Sequence, residues 1–178
     1  MKRFEKGFTI VELSIGLALI GLIGSGAVAT IFQLLSGTER SSNQTMVSSQ
    51  VQNAGYWFSK DAEIAESITV DNLDPNNFIV MHWTERDYAG GGGDIEHSAT
   101  YSFANLSDSV GRIKRLHWSS GGANEQSIVA QYIYYNQSDS DNTTKASYEA
   151  RVLTVQVTSR LGEAEETKEY RVTRRPNF

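Results

Sequence analysis

Residues 8–35 read FTIVELSIGLALIGLIGSGAVATIFQLL, and this stretch decides how the chain is organised. Only Glu12 among its residues is ionisable. A helix of that length reaches about 42 Å at ~1.5 Å per residue, more than the ~30 Å hydrocarbon core of a bilayer. The segment before it, Met1 to Gly7, is short and basic, with Lys2, Arg3 and Lys6 set against Glu5. Positive charge resists translocation, so this end is expected to stay cytoplasmic. The rest of the chain is then expected outside the inner membrane, held by a single pass.

Composition leaves two readings of the arm. Ala27-Val28-Ala29 has the small-x-small form of a secretory cleavage site, but the apolar region before it would run about twenty residues, against a usual 7–15, with a carboxylate inside it. A plain membrane anchor explains the length and gives no reason for Glu12.

A third reading comes from the motif. Gly7-Phe8-Thr9-Ile10-Val11-Glu12-Leu13 resembles the type IV prepilin processing site, where a Gly precedes a Phe and a Glu lies five residues after the Gly. The resemblance implies that prepilin peptidase, a membrane aspartyl peptidase, cuts between Gly7 and Phe8 on the cytoplasmic side. It also implies N-methylation of Phe8. Cutting before the apolar run keeps the helix on the mature protein, first as an anchor and then as the packed core of a filament. A carboxylate within the apolar end of a membrane helix is expensive, and such residues are usually paired. The resemblance supplies a partner for Glu12, the Phe8 amine of a neighbouring subunit. That pairing would set subunit register, because a shifted neighbour leaves a buried charge unpaired. The alternative is interfacial: Glu12 lies near the end of the span and favours the positive end of the helix.

Gly16, Gly21, Gly24 and Gly26 allow either close helix–helix approach through small residues, which is the expectation, or the local melting during assembly that the family shows around a mid-helix proline. The mid-helix proline of the family is missing, since Pro75 and Pro176 are the only prolines and lie downstream. Gly24-Ser25-Gly26-Ala27-Val28-Ala29 fits G-x-G-x-x-A. No strand precedes it, so it is not a dinucleotide site.

After Leu35 the chain turns polar, and apolar residues return at Val47, Val51, Ala54, Phe58, Ala62, Ala65 and Ile68. Spacings of three and four make one helical stripe, widened by Trp57 and Ile64. One long helix is expected from about Phe8 to about Ser67, softened near Ser36-Gly37, with a turn-rich stop from Thr69 to Asn77. The stretch from Gln52 to Ala65, with Trp57, Asp61 and Ala62, resembles the helix of the large minor pseudopilins: the J subunit of type II secretion and the W-type minor pilin.

Strands are expected at Phe78–Trp83, Thr100–Phe103, Arg112–Trp118, Ile128–Tyr135, Arg151–Ser159 and Thr167–Thr173, with a turn at Arg160–Glu163. The fold class that follows is α+β: a long N-terminal helix packed on an antiparallel sheet, pilin-like. The domains are a leader over 1–7, a transmembrane and assembly helix over 8–35, and a periplasmic or extracellular domain over 36–178. Loops are expected at Asp87–Asp94, Ser119–Gln126 and Asn136–Ser147. The last has oxygen ligands that could attract calcium but lacks EF-hand spacing, and Asp/Asn/Ser clusters mostly make turns.

The net charge of -5 argues against a nucleic-acid partner, and zero cysteines exclude disulfides, thiolate metal sites and a Cys nucleophile. The histidines are His82, His97 and His117. In His82-Trp83 and His117-Trp118, strand alternation would bury one residue of each pair and expose the other. No metal-ligand spacing, nucleophile elbow or P-loop is present, so no cofactor and no enzymatic activity are expected. The expected function is that of a minor pilin or pseudopilin, serving a type IV pilus, type II secretion or DNA uptake. Its expected partners are prepilin peptidase, other pilin or pseudopilin subunits, the inner-membrane assembly platform and the membrane itself. The alternative is a binding module, exposed on such a filament, that captures a surface, substrate or DNA through its loops.

Overall fold

The computed structural model describes residues 9–86 and 93–175. The chain forms two compact units, Met1–Ser42 and Asn43–Phe178. Helix α1 spans Ile10–Ile64, 55 residues. It continues without a break through Ser36-Gly37, where softening was expected.

In the first unit the large apolar side chains of α1 are exposed, from Ile10 at 87% through Ile20 at 70% to Leu35 at 63%. The helix is long and apolar enough to cross a membrane. A Cβ added at Gly16, Gly21, Gly24 or Gly26 would meet nothing within 4 Å.

The second unit is an antiparallel eight-stranded sheet packed on the second half of α1. The strands are β1 (Ser67–Val70), β2 (Ile79–Glu85), β3 (Ile95–Ser107), β4 (Val110–Ser119), β5 (Glu125–Tyr134), β6 (Lys145–Glu149), β7 (Val152–Leu161) and β8 (Ala164–Thr173). Their order is β1-β2-β3-β4-β5-β7-β6, with β8 on β7. The architecture is therefore α+β, as expected. Two strands were not. β1 was read as the end of the helix and the start of its stop, because Ile68 continues the helical spacing. β6 was read as loop, because it holds five residues with one buried apolar side chain, Ala146. β3 is far longer than Thr100–Phe103, since its polar half extends the pairing with β2 and β4.

The buried stripe of α1 is Val47, Val51, Ala54, Gly55, Phe58, Asp61 and Ala62. Ala65 and Ile68 are buried just beyond it, and Trp57 packs on the core half-buried. Ile64 departs from the expectation, being 47% exposed. On the sheet, odd-numbered residues of β2, β3 and β4 face the helix, including Ile79, Met81, Ala99, Tyr101, Phe103 and Ile113. Phe58 meets Tyr101 with ring centroids 4.6 Å apart.

Three local devices fix this packing. β5 touches β7 at the single pair Ile133–Ser159. Along β5, side chains of α1 take the place of a neighbouring strand: Gln131 N donates to Gln50 Oε1 at 2.7 Å, and Asn53 Nδ2 donates to Val129 O at 2.6 Å. Near β1, the Asn72 amide imitates a strand partner for β6. It donates to Ala146 O and accepts from Ala146 N, each at 2.8 Å. At the β7–β8 hairpin, Leu161 pairs with Ala164 and Gly162 takes φ +60. A positive φ at the first central residue is what a two-residue type II′ turn demands. The turn falls where Arg160–Glu163 was expected to bend.

Candidate functional site

Gly7 and Phe8, the expected cleavage pair, lie outside the described residues. Glu12 is described, in the first turn of α1. Thr9 N and Thr9 Oγ1 both donate to Glu12 Oε2 at 3.0 Å, and Glu12 N donates to Thr9 Oγ1 at 3.2 Å. Leu13 N donates to Thr9 O at 3.1 Å. This is a reciprocal capping box, with Thr9 as N-cap and Glu12 three residues on. The sequence carries its signature, Thr-x-x-Glu before an apolar run, and the prepilin reading of the same residues overlooked it. Glu12 therefore has a local job, starting the helix, whatever it also does between subunits. The described bonds all fall on Oε2, so the other carboxylate oxygen retains acceptor capacity among the described residues.

The second concentration of chemistry is on the helix-facing side of the sheet. Asp61 is 1% exposed, and Arg115 reaches it from β4. Arg115 Nε donates to Asp61 Oδ2 at 2.6 Å and Nη2 donates to Oδ1 at 3.0 Å. The Tyr101 hydroxyl donates to Asp61 Oδ2 at 2.5 Å and lies 3.0 Å from Trp57 O. The guanidinium also stacks over Trp57, 4.9 Å from the ring centroid. Burial pushes the Tyr101 phenol well up, and the Asp61 charge adds to it, so the hydroxyl stays a donor. Burial alone would lower the Arg115 pKa; its hydrogen bonds to Asp61 outweigh that and raise it. A charged pair this dry is kept only with both partners and good geometry. It sets the register of α1 on the sheet.

Beyond this pair, the same face of the sheet ends in a ring cluster. Trp83, His97 and His117 lie nearly parallel, with centroid separations of 5.3 Å for Trp83–His97, 5.5 Å for Trp83–His117 and 5.3 Å for His97–His117. His97 Nδ1 and His117 Nε2 are 3.2 Å apart. Among the described residues, His97 Nε2 is buried without an aligned hydrogen-bond partner, although Glu85 Oε2 lies 3.3 Å away, within ion-pair distance. A carboxylate accepts only, so the consistent tautomers put a proton on His97 Nε2, facing Glu85, and one on His117 Nε2, donated to His97 Nδ1. Burial lowers the His117 pKa below its ordinary 6.5, and the charge of Arg115 lowers it further.

Within His82-Trp83 and His117-Trp118, alternation puts one residue on each face of the sheet, as expected. His97 and His117 face the helix side, while His82 is exposed on the other face, as is Trp118 at 38%. The three histidines do not gather into one site.

The loop at Asn136–Ser147 spends its oxygens locally. Asp139 Oδ1 accepts from Asp141 N and Asn142 N, and Asn136 Oδ1 accepts from Ser138 N. The backbone bond from Asn142 leads in lowering the Asp139 pKa. These are turn-forming contacts rather than an open ligand ring.

Comparison with protein-family models, with curated proteins and with solved structures finds no match for the chain.

Proposed function

We propose that this chain is a pilin-like subunit, a minor pilin or pseudopilin, cleaved between Gly7 and Phe8 and methylated at Phe8. It assembles through the first half of α1 into a type IV pilus or a type II secretion filament. The observation that carries the reading is the division of labour within one helix. Its second half is the core of a folded sheet unit, while its first half displays apolar side chains from Ile10 to Leu35. Such a surface needs lipid or other helices around it. The prepilin motif sits directly at the start of that surface. Other features support the reading without being specific to it. The sheet unit holds itself together without disulfides, and its helix carries the Trp57, Asp61 and Ala62 pattern of the large minor pseudopilins.

The role of Glu12 in this scheme is to pair with the Phe8 ammonium of the next subunit, through the carboxylate oxygen that capping leaves over. Capping and pairing separate by mutation, because Gln satisfies a capping box as Glu does but carries no charge. In cells that make the filament, the wild-type chain is expected in the sheared or membrane-released filament fraction. Glu12→Gln should be processed normally yet depleted from that fraction by about tenfold or more, in line with an unpaired buried charge. Thr9→Ala, which loses the cap alone, should still incorporate. Absence of the wild-type chain from the fraction refutes the subunit reading. Normal incorporation of Glu12→Gln refutes the pairing and leaves the subunit reading standing.

A further inference from the structure

The helix-facing side of the sheet contains one group of ligating atoms that neither core packing nor filament assembly uses. His97 on β3 and His117 on β4 sit diagonally across the strand pair, on one face. Their Nδ1 and Nε2 atoms are 3.2 Å apart. Two imidazole nitrogens bound to one ion at about 2.0–2.1 Å and near the tetrahedral angle lie about 3.3 Å from each other. The spacing thus suits a shared ion as well as it suits a hydrogen bond.

The surroundings favour the ion. Ligating histidines usually turn the other ring nitrogen toward a carboxylate, which fixes the tautomer and raises ligand basicity. His97 Nε2 has Glu85 Oε2 at 3.3 Å, and among the described residues no other partner satisfies it. Trp83 lies parallel to both imidazoles and holds their planes. Glu125 stands directly opposite His117 in β5, on the same face of the sheet. Arg115 is the nearby cation that would repel an ion, and its charge is taken up by Asp61.

We propose that His97 Nδ1 and His117 Nε2 form a binding site for a divalent transition-metal ion of the zinc or copper type, with Glu85 as the outer partner of His97. Among the described residues no three His, Asp or Glu side chains already converge on one point. The remaining positions belong to water, or to Glu125 after a side-chain rotation. Such a site is half-open and exchangeable rather than structural. In binding, His117 moves its proton from Nε2 to Nδ1, and the hydrogen bond between the rings is replaced by the ion.

The test uses the full-length protein in detergent, stripped of metal and titrated calorimetrically with zinc or copper chloride. One equivalent is expected to bind. His97→Gln and His117→Gln should each weaken binding by about tenfold or more, and Glu85→Gln by about tenfold. His82→Gln, on the opposite face, should leave it unchanged. Electron paramagnetic resonance of the copper-loaded wild type does not depend on any variant folding, and it should show imidazole nitrogen coupling. No stoichiometric binding, binding indifferent to both histidine substitutions, or a copper spectrum without nitrogen coupling would overturn the proposal.

Discussion

Asp61 occupies a position where the helical stripe calls for an apolar side chain, and it is buried there because Arg115 and Tyr101 complete it. Removing one partner leaves the other charge dry and unpaired, at a typical cost of about 3–5 kcal/mol. Asp61→Ala is therefore expected to lower unfolding stability by that amount. The double variant Asp61→Leu with Arg115→Met should recover most of the loss, as measured by urea denaturation. A single variant within about 0.5 kcal/mol of wild type, the range of an ordinary surface change, would show that the pair is not the anchor described. The residue scale was only partly legible in the sequence. Asp61 stood out within the helix, but Arg115 lies 54 positions away and only the sheet brings it close. His82 and His117 were legible as strand residues, each beside a tryptophan, whereas His97 lies outside the strand expected at Thr100–Phe103 and enters β3 only because that strand starts at Ile95. The meeting of His97 with His117 needed the register of β3 on β4. The Thr9–Glu12 cap was written plainly in four residues and was missed because the same letters resemble a processing motif.

At the scale of elements, α1 and β8 pack closely where Gly55 faces Tyr170. A Cβ on Gly55 would fall 2.2 Å from Tyr170 Cζ, and the Tyr170 hydroxyl donates to Val51 O at 3.1 Å. Alanine improves helix propensity by up to about 1 kcal/mol, but the ring must then leave its place, and overpacking of this kind costs about 1–3 kcal/mol. The clash wins, because several ring atoms are too close and not one flexible end. Gly55→Ala should destabilise the sheet unit, and the cost should shrink or reverse in a Tyr170→Ala background, where the space is empty. An unchanged urea midpoint for Gly55→Ala alone would contradict the contact. Long periodic elements were legible: the helical stripe, the β7–β8 hairpin and its turn, and four of the inner strands. What escaped was short or polar. β1 has four residues and β6 five, and each is held by partners distant in sequence, including the side-chain amide of Asn72. Period-2 patterning over so few residues cannot be told from the tail of a helix or from a loop.

At the scale of the whole molecule, one long helix carries two kinds of surface. Its second half is insulated by the sheet, and its first half has the length and polarity of a membrane span. Under the proposed function, the helix assembles because of where the chain is cut. Cleavage after Ala29 would remove most of the apolar surface, leaving only its end from Ile31 to Leu35, too short to span a bilayer. Cleavage after Gly7 removes a side-chain charge of +2 and keeps the whole surface, with Glu12 one turn from a new amine. These outcomes differ by 22 residues at the N-terminus, which intact-mass and N-terminal sequencing resolve at once. The account predicts that the chain recovered from membranes begins at N-methyl-Phe8 and has 171 residues, the 178 of the sequence less the seven of the leader. A chain beginning at Thr30, or one still beginning at Met1 in cells with an active prepilin peptidase, would contradict it.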